Sequence, residues 1–261
     1  MAQSDEPRIE LSVCNHVGWL EFSRLPVNAF DHQMVQEVID GLAQFEGDRS
    51  VRVIVLASAI PRYFSAGAQL DTFVGIGGQG MAVWCDMVHT IVRAIRESKK
   101  PMLAAINGTA VGGGLEMTLH CDVRFAADDA RMGQPEVNIN FIPPVGATQA
   151  LVRLIGRSNA LRYLYDGVLL GAEQAAQWGL IDEVVPAAEL RTAVRQYAQS
   201  LTEKPPEALA GIRRAIIEGG SLTFDQGLRV ERAVAIELAE TENFQEGVNA
   251  FLAKREPKWR R

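Results

Sequence analysis

The sequence predicts an α/β fold that ends in an all-helical segment. Over the first two-thirds of the 261 residues, short runs of β-branched and apolar residues alternate with segments whose apolar residues recur at helical spacing. After about residue 187, only the helical pattern continues. An alternation of strands and helices predicts layers of helices against a sheet with parallel strand pairs.

The predicted elements can be placed in order along the first part of the chain. Residues 9–22 predict two short strands joined by a turn. Asp31 is a suitable N-cap for a helix that runs to about Phe45, because apolar residues recur within it every three or four positions. The further predicted elements are a strand at 51–57, a helix at 81–95, a strand at 102–106, a short helix from 112 to about 120 and a strand at 123–126.

The C-terminal segment predicts four helices. Their ranges are 187–201, 207–217, 224–239 and 244–253. Pro205 and Pro206 separate the first two of these helices, and Gly219 and Gly220 end the second, as expected of residues that break helices. We therefore expect a core over residues 1–200 and a helical segment over residues 201–261.

Composition restricts the function classes. Apolar residues make up 48% of the chain and charged residues 22%, as in an ordinary globular protein, and no apolar run approaches the roughly 20 residues of a membrane helix. Residues 1–7 lack the features of a signal peptide, so we expect a cytoplasmic protein without a membrane partner. A net charge of −6 argues against nucleic-acid binding, although basic residues gather at Lys258, Arg260 and Arg261. The four histidines show no metal-ligand spacing, so no metal site is expected.

Three segments with small residues and glutamates stand out. They are Phe64–Leu70, Ile106–Glu116 and Met132–Glu136. Each alone has an ordinary explanation, because small residues often form a tight turn, a glycine triplet lets backbones approach, and a single glutamate is usually a solvated surface residue. Their combination in this order needs a more specific explanation.

Together, these segments resemble the signatures of the crotonase family. Ser65–Leu70 is similar to the family's S-A-G-A-D-L, with Gln69 in place of the aspartate. Asn107–Glu116 matches N-G-x-A-x-G-G-G-x-E, and Gly133–Glu136 matches G-Q-P-E. The similarity continues through 169–185 and 246–255, and so spans essentially the whole chain. It implies a spiral of ββα units over residues 1–200 that carries an acyl-CoA site. It also implies that the helical segment 201–261 assembles a homotrimer or a dimer of trimers.

The resemblance assigns a chemical role to four residues. Enzymes of this family stabilise an enolate at a thioester carbonyl, and the backbone N–H groups at the positions of Ala68 and Gly113 point at its oxygen. One donor of this kind is worth about 2.7–4 kcal/mol in the transition state. Glu116 and Glu136 match the two glutamates of the family's hydratases, where one takes a proton from water and the other delivers a proton to Cα. Which glutamate is the acid and which is the base stays open.

Further residues match the family's ligand contacts. Ala66 and Leu70 match the loop beside the CoA adenine, Val27 and Ala29 match the region along the pantetheine, and Phe251 and Lys254 match C-terminal residues that reach CoA, often from a neighbouring subunit. For Lys254, an exposed helix lysine is an equally good interpretation. The remaining expected substrate contacts are Gly67, Gly112, Pro135 and Pro144. The acyl pocket is expected to be lined by residues 72–93 and 138–148.

The segment after G-Q-P-E departs from the family pattern. The family has about G-x-x-P-G-x-G-G-T-Q, whereas Asn140, Pro144 and Ala147 replace glycines here. In the hydratase pattern, the N–H at the position of Pro144 helps to hold the catalytic water, and proline has no N–H. Either the two glutamates hold the water alone, or a different substrate occupies the site. The Ile-Pro-Pro stretch also resembles feruloyl-CoA hydratase-lyases, which typically lack a glutamate at the position of Glu116.

The resemblance implies an enoyl-CoA hydratase, which adds water to a 2-enoyl-CoA to give a 3-hydroxyacyl-CoA. Many double-bond isomerases of the family lack the first acid, so the presence of both Glu116 and Glu136 favours hydration. Isomerisation, acyl-CoA hydrolysis and hydration with cleavage of an aromatic or cyclic acyl-CoA are alternatives, and an inactive binding or scaffold protein is an alternative of another class. No cofactor is expected, because the thioester is the electron sink and coenzyme A is part of the substrate.

Overall fold

The computed structural model describes residues 6–259. The first five residues of the polar start, and Arg260 and Arg261 of the basic C-terminus, lie outside the described residues. The chain opens with strands β1 (Ile9–Cys14) and β2 (Val17–Phe22), which pair antiparallel across a turn at Asn15 and His16. The predicted hairpin is confirmed.

The larger sheet has six strands. Its further strands are β3 (Val53–Ser58), β5 (Met102–Ile106), β7 (Val123–Ala127) and β10 (Glu183–Val185), in the order β1-β2-β3-β5-β7-β10. Apart from β1 with β2, all neighbours in this sheet are parallel. The predicted strands at 51–57, 102–106 and 123–126 correspond to β3, β5 and β7, and the last strand ends before residue 187, as predicted.

The smaller sheet has four short strands that the hydrophobic pattern does not predict. They are β4 (Arg62–Ser65), β6 (Gly108–Val111), β8 (Arg131–Gly133) and β9 (Leu169–Gly171), in that order. β4, β6 and β8 are parallel to one another, and β9 is antiparallel to β8. Each of β4, β6 and β8 directly follows a strand of the larger sheet. The chain therefore winds between two sheets, which is the predicted spiral of ββα units.

Helices cover and connect the two sheets. They are α1 (His32–Gly47), α2 (Gly78–Glu97), α3 (Gly113–Thr118), α4 (Ala147–Asp166) and α5 (Ala172–Trp178), with 3₁₀ turns at Leu70–Phe73 and Pro135–Ile139. The side chain of Asp31 accepts a hydrogen bond from the N–H of Met34 at 3.0 Å, which confirms it as the N-cap of α1. Gly156 interrupts α4 with a non-helical backbone.

The four predicted C-terminal helices are present. They are α6 (Leu190–Thr202), α7 (Pro206–Gly219), α8 (Phe224–Ala239) and α9 (Glu242–Leu252). α6 packs on strands of the larger sheet, whereas α7 pairs with α8 and α9 contacts α8. Arg213 of α7 forms an ion pair with Asp122 at 2.9 Å, and so ties this helical segment to the loop before β7. No helix within residues 6–259 is long and apolar enough to cross a membrane.

Candidate active site

The three signature segments meet at one cavity of about 250 Å³. The loop after β4, the turn from β6 into α3 and the 3₁₀ turn after β8 each contribute to its wall. The predicted site residues in the wall are Ala66, Gly67, Ala68, Leu70, Gly112, Gly113, Pro135, Glu136 and Pro144. Segments about 70 residues apart in sequence meet because β4, β6 and β8 are neighbours in the smaller sheet.

Ser65 holds the first of these segments in place. Its hydroxyl accepts a hydrogen bond from the N–H of Gly67 at 3.0 Å and donates one to the carbonyl of Asn28 at 2.8 Å. A Cβ on Gly114 would lie 2.3 Å from the Cβ of Ser65, so only glycine lets the start of α3 pack against this loop. The last glycine of the triplet is therefore required by its close contact with Ser65.

The two predicted oxyanion donors are available. Ala68 forms a β-bridge with Phe30 through its neighbours, since the Phe30 N–H donates to Gly67 and the Gln69 N–H donates to Phe30. The N–H of Ala68 itself is not used in that bridge. Gly113 is the first residue of α3, whose first N–H groups have no partner inside the helix. Within residues 6–259, neither N–H donates to another group, and both residues line the cavity.

Gly112 brings the glycine turn against Glu136. Its φ of 52° and ψ of −138° belong to a region that is essentially restricted to glycine. Its N–H donates to the carbonyl of Gly133 at 3.0 Å, which joins it to the segment that carries Glu136. A Cβ at this position would lie 2.8 Å from Oε1 of Glu136. The backbone of Gly112 thus packs directly against the carboxylate of Glu136.

Glu116 lies beneath the cavity and is fully buried. Its Oε2 accepts hydrogen bonds from the N–H of Val145 at 2.7 Å and of Ala147 at 3.0 Å. Its Oε1 is buried and has no partner within the described residues. One oxygen is therefore fixed by the backbone, and the other remains open for a proton or a water.

The two glutamates have raised pKa values. The pKa of Glu116 is raised from 4.5 to about 8, chiefly by burial and also by the charge of Glu136, while the two backbone N–H groups oppose this rise. Burial also raises the pKa of Glu136 to about 7, and its Oε2 has no partner within the described residues. Because the two groups interact, these values describe the pair, which holds one proton between about pH 7 and pH 8.

The segment that departs from the family pattern is the one that binds Glu116. Pro144 lines the cavity and has no N–H, but the residues on either side of Gly146 supply one N–H each. Gly146 has a φ of 92°, a left-handed conformation in which both neighbouring N–H groups face the same carboxylate oxygen. The loss of one donor at Pro144 therefore leaves the anchoring of Glu116 intact.

The Gln69 departure also has a structural account. The side-chain oxygen of Gln69 accepts a hydrogen bond from the guanidinium of Arg24, which also lies 3.3 Å from Asp31. The neutral amide thus binds Arg24 without placing a second negative charge beside Asp31.

Four predicted contacts lie outside the cavity. Val27 supports it indirectly, since its carbonyl accepts the N–H of Ala66 at 2.9 Å, and the carbonyl of Ala29 accepts a hydrogen bond from Arg24. Phe251 and Lys254 are exposed near the C-terminal end, and Phe251 lines a separate groove there. Their predicted contact with CoA depends on a neighbouring subunit, and it stays a prediction.

The wall of the acyl pocket comes largely from the two predicted ranges. The apolar side chains involved are Phe73, Trp84, Val88, Ile91, Ile139, Phe141 and Val145. Phe30, Val35 and Met117 also line the cavity and were not predicted. Their only sequence signal is helical or strand spacing, which equally describes a core residue. Within residues 6–259, no group of three or more His, Cys, Asp or Glu side chains could hold a metal ion.

Comparison with known proteins decides the family. Residues 14–261 match the family described as enoyl-CoA hydratase/isomerase. The chain belongs to the enoyl-CoA hydratase/isomerase family. The crotonase resemblance is thereby confirmed.

Relatives of this hydratase/isomerase chain agree with it over nearly their full length. A probable enoyl-CoA hydratase of Bacillus subtilis is 32% identical over 254 residues, which are 97% of this chain and 98% of the relative. A 2,3-dehydroadipyl-CoA hydratase of Escherichia coli is 33% identical, with coverage of 88% and 89%. The crystal structure of an enoyl-CoA hydratase from Bacillus anthracis superposes with a TM-score of 0.92 at 30% identity, and covers 97% and 99% of the two chains.

Proposed function

We propose that the protein is an enoyl-CoA hydratase that adds water to the double bond of a 2-enoyl-CoA and releases a 3-hydroxyacyl-CoA. The observation that carries this proposal is that the half-buried Glu136 and two unused N–H groups line one cavity, with the fully buried Glu116 close enough for the charge of Glu136 to act on it. The relatives named as hydratases support the same reaction.

The N–H groups of Ala68 and Gly113 act on the thioester. A thioester carbonyl seated between them gains negative charge when a nucleophile adds at C3. Each donor then stabilises the transition state by about 2.7–4 kcal/mol. The glycine at 113 keeps side chains away from the thioester, because a Cβ there would already lie 3.3 Å from Val145. The thioester carbonyl itself accepts the electrons of the addition. A metal or redox cofactor is then unnecessary, so we propose that the enzyme needs none.

The glutamates complete the addition. One carboxylate takes a proton from water while the oxygen of that water bonds to C3. The other, protonated carboxyl group gives its proton to C2. The pair then again holds one proton, as its raised pKa values favour near neutral pH. The open oxygens, Oε1 of Glu116 and Oε2 of Glu136, are the atoms that can hold the water. The two carboxylates therefore hold the water by accepting its protons, without the N–H donor that Pro144 lacks.

We propose that the acyl group is apolar and uncharged. Within the described residues, the only polar side chains in the cavity wall are Glu136 and Asn138, and no Lys or Arg is present. An acyl group with a second carboxylate, such as that named for the E. coli relative, would be buried there without a cation.

The test compares three substrates. Purified protein is mixed with crotonyl-CoA, an aromatic enoyl-CoA and 2,3-dehydroadipyl-CoA, and loss of the enoyl-thioester absorbance is followed. We expect hydration of at least one apolar substrate, with the dicarboxylic one disfavoured by about 10²-fold or more in kcat/KM. No loss with any of the three at high enzyme concentration contradicts the proposal. A product that is an isomer of the substrate would instead indicate isomerisation, and release of free CoA would indicate hydrolysis.

We also propose a cytoplasmic homotrimer or dimer of trimers. Supporting this, the C-terminal helices expose large apolar side chains that a second subunit would cover, among them Ile216, Phe224, Phe251 and Leu252. Phe251 and Lys254 would then approach a neighbour's CoA. Light scattering in solution distinguishes monomer, trimer and hexamer.

A further inference from the structure

His120 stands four residues after Glu116, just beyond the end of α3. Its Nε2 lies 2.9 Å from the carbonyl of Val145, so this nitrogen carries the proton and donates it. The N–H of the same residue, Val145, is one of the two donors to Oε2 of Glu116. Two side chains at the C-terminal end of α3 therefore bind Val145. The carboxylate of Glu116 accepts its N–H, and the imidazole of His120 donates to its carbonyl.

The contact between His120 and the loop is tight. A Cβ on Gly146 would lie 2.7 Å from Nε2 of His120, so the imidazole occupies the space beside a glycine in the left-handed conformation. His120 is only 7% exposed, and its Nδ1 is buried with no partner within the described residues. An apolar side chain would avoid the cost of that nitrogen, so the donated hydrogen bond is the property that a histidine adds here.

We propose that His120 is a positioning residue for Glu116: by holding the carbonyl of Val145, it keeps the N–H groups of Val145 and Ala147 on the carboxylate. The proposal rests on the proposed function only for its effect on turnover. Its effect on the carboxylate itself is independent of any substrate.

The surroundings support a neutral imidazole. The pKa of His120 is lowered to about 4, chiefly by burial and also by Arg96 and His89 on α2 and Arg124 on β7, while the hydrogen bond to Val145 opposes this. The imidazole is therefore an uncharged donor throughout the neutral range. The groups that face Glu116 are Glu136, Cys85 on α2 and the two backbone N–H groups. Among the described residues, only the N–H groups of Val145 and Ala147 lower the pKa of Glu116. Loss of the hydrogen bond from His120 weakens both contacts, so this pKa must rise.

His89 offers a matched control. Its Nε2 lies 2.8 Å from the carbonyl of Pro144, the residue before Val145, but the side chain is exposed. Water can replace this hydrogen bond, and the residue does not line the cavity. His89→Ala therefore removes a histidine contact with the same loop without releasing Glu116.

The experiment measures the pKa of Glu116 without substrate. The infrared band of its protonated carboxyl, assigned by its loss in Glu116→Gln, is titrated in the wild type, His120→Leu, His120→Gln and His89→Ala. In His120→Leu, we expect the midpoint to rise by about half a pH unit or more. Gln restores most of the wild-type midpoint because its amide N–H can replace Nε2, and His89→Ala leaves it unchanged.

Turnover gives a second and separable readout. In His120→Leu, we expect the upper limb of the pH profile of kcat to move upward with the midpoint, the maximal kcat to fall about threefold or more because Glu116 is misplaced, and KM to stay within about twofold. A folded His120→Leu protein with a wild-type midpoint overturns the proposal, as does failure of His120→Gln to restore it. If His120→Leu does not fold, Gly146→Ala displaces the imidazole from the other side and must raise the midpoint. A raised midpoint in a protein that turns over no enoyl-CoA would refute the proposed function alone.

Discussion

An added methyl group at Gly112 should lower turnover by more than its effect on stability explains. Alanine there would place Cβ 2.8 Å from Oε1 of Glu136, where an ordinary contact needs at least 3.4 Å. The carboxylate is the flexible end of its side chain, so it would swing away by about 0.6 Å, from 2.8 Å to 3.4 Å, at little energetic cost. A misplacement of about 1 Å can cost about 10²-fold in turnover. We therefore expect Gly112→Ala to lower kcat by about tenfold or more.

Gly156→Ala supplies the control for backbone strain. Gly156 has a φ of 75° and a ψ of 159°, a region as restricted to glycine as that of Gly112, but nothing lies within 4 Å of an added Cβ. Both variants should lose about 1–3 kcal/mol of stability from strain alone. Only Gly112→Ala should lose activity.

The assay pairs chemical denaturation with steady-state hydration of an enoyl-CoA, both at 25 °C. Equal activity losses in the two variants would mean that strain, not the position of Glu136, limits turnover. A kcat of Gly112→Ala within about threefold of that of Gly156→Ala would refute the reasoning.

Three further predictions concern the glutamates and the pocket. Glu136→Gln should cut turnover by at least about 10²-fold, measured at saturating substrate, and near-normal activity would mean that its role is misassigned. The pH profile of kcat should be bell-shaped with limbs near pH 7 and pH 8, because the pair works with one proton, and a flat profile from pH 6 to pH 9 would contradict this. Trp84→Ala should raise kcat/KM for a bulkier enoyl-CoA relative to crotonyl-CoA by about tenfold, since Trp84 lines the cavity, and an unchanged ratio would place the acyl group elsewhere.

A stability measurement tests the burial of Glu116 independently of activity. An acid whose pKa is raised from 4.5 to about 8 on folding favours the folded state below pH 4.5, and this contribution is lost as pH rises to about 8. Relative to Glu116→Gln, the wild type should lose up to about 4 kcal/mol of stability between pH 5 and pH 9. Parallel stability curves for the two proteins would show that Glu116 titrates normally.

The larger sheet and most helices could be predicted because their side chains carry the pattern. The strand at 102–106 matches β5 at both ends, and Asp31 caps α1 as its side chain indicates. The short strands of the smaller sheet could not be predicted in this way. They are three or four residues long and rich in small or polar residues, so their pairing depends on the spiral and not on local preference.

The same division applies to the site. Glu116, Glu136 and the glycine turn were predicted because their residue types and spacing match the signatures of the crotonase family. The backbone donors at Val145 and Ala147 carry no residue signature, since any residue except proline supplies an N–H. His120 gave no signal because a lone histidine four residues after a glutamate is usually a core residue. Its importance appears only once α3 and the loop after Pro144 are in contact.

The most direct test of the central claim follows the water itself. Wild type, Glu116→Gln and Glu136→Gln are incubated with crotonyl-CoA and with an aromatic enoyl-CoA in ¹⁸O-labelled water, and the products are analysed by mass spectrometry. The account predicts a 3-hydroxyacyl-CoA with one ¹⁸O on C3 from the wild type with at least one of these substrates, and at least about 10²-fold slower formation in each variant. Failure of the wild type to consume either substrate, or full activity in either variant, would contradict it.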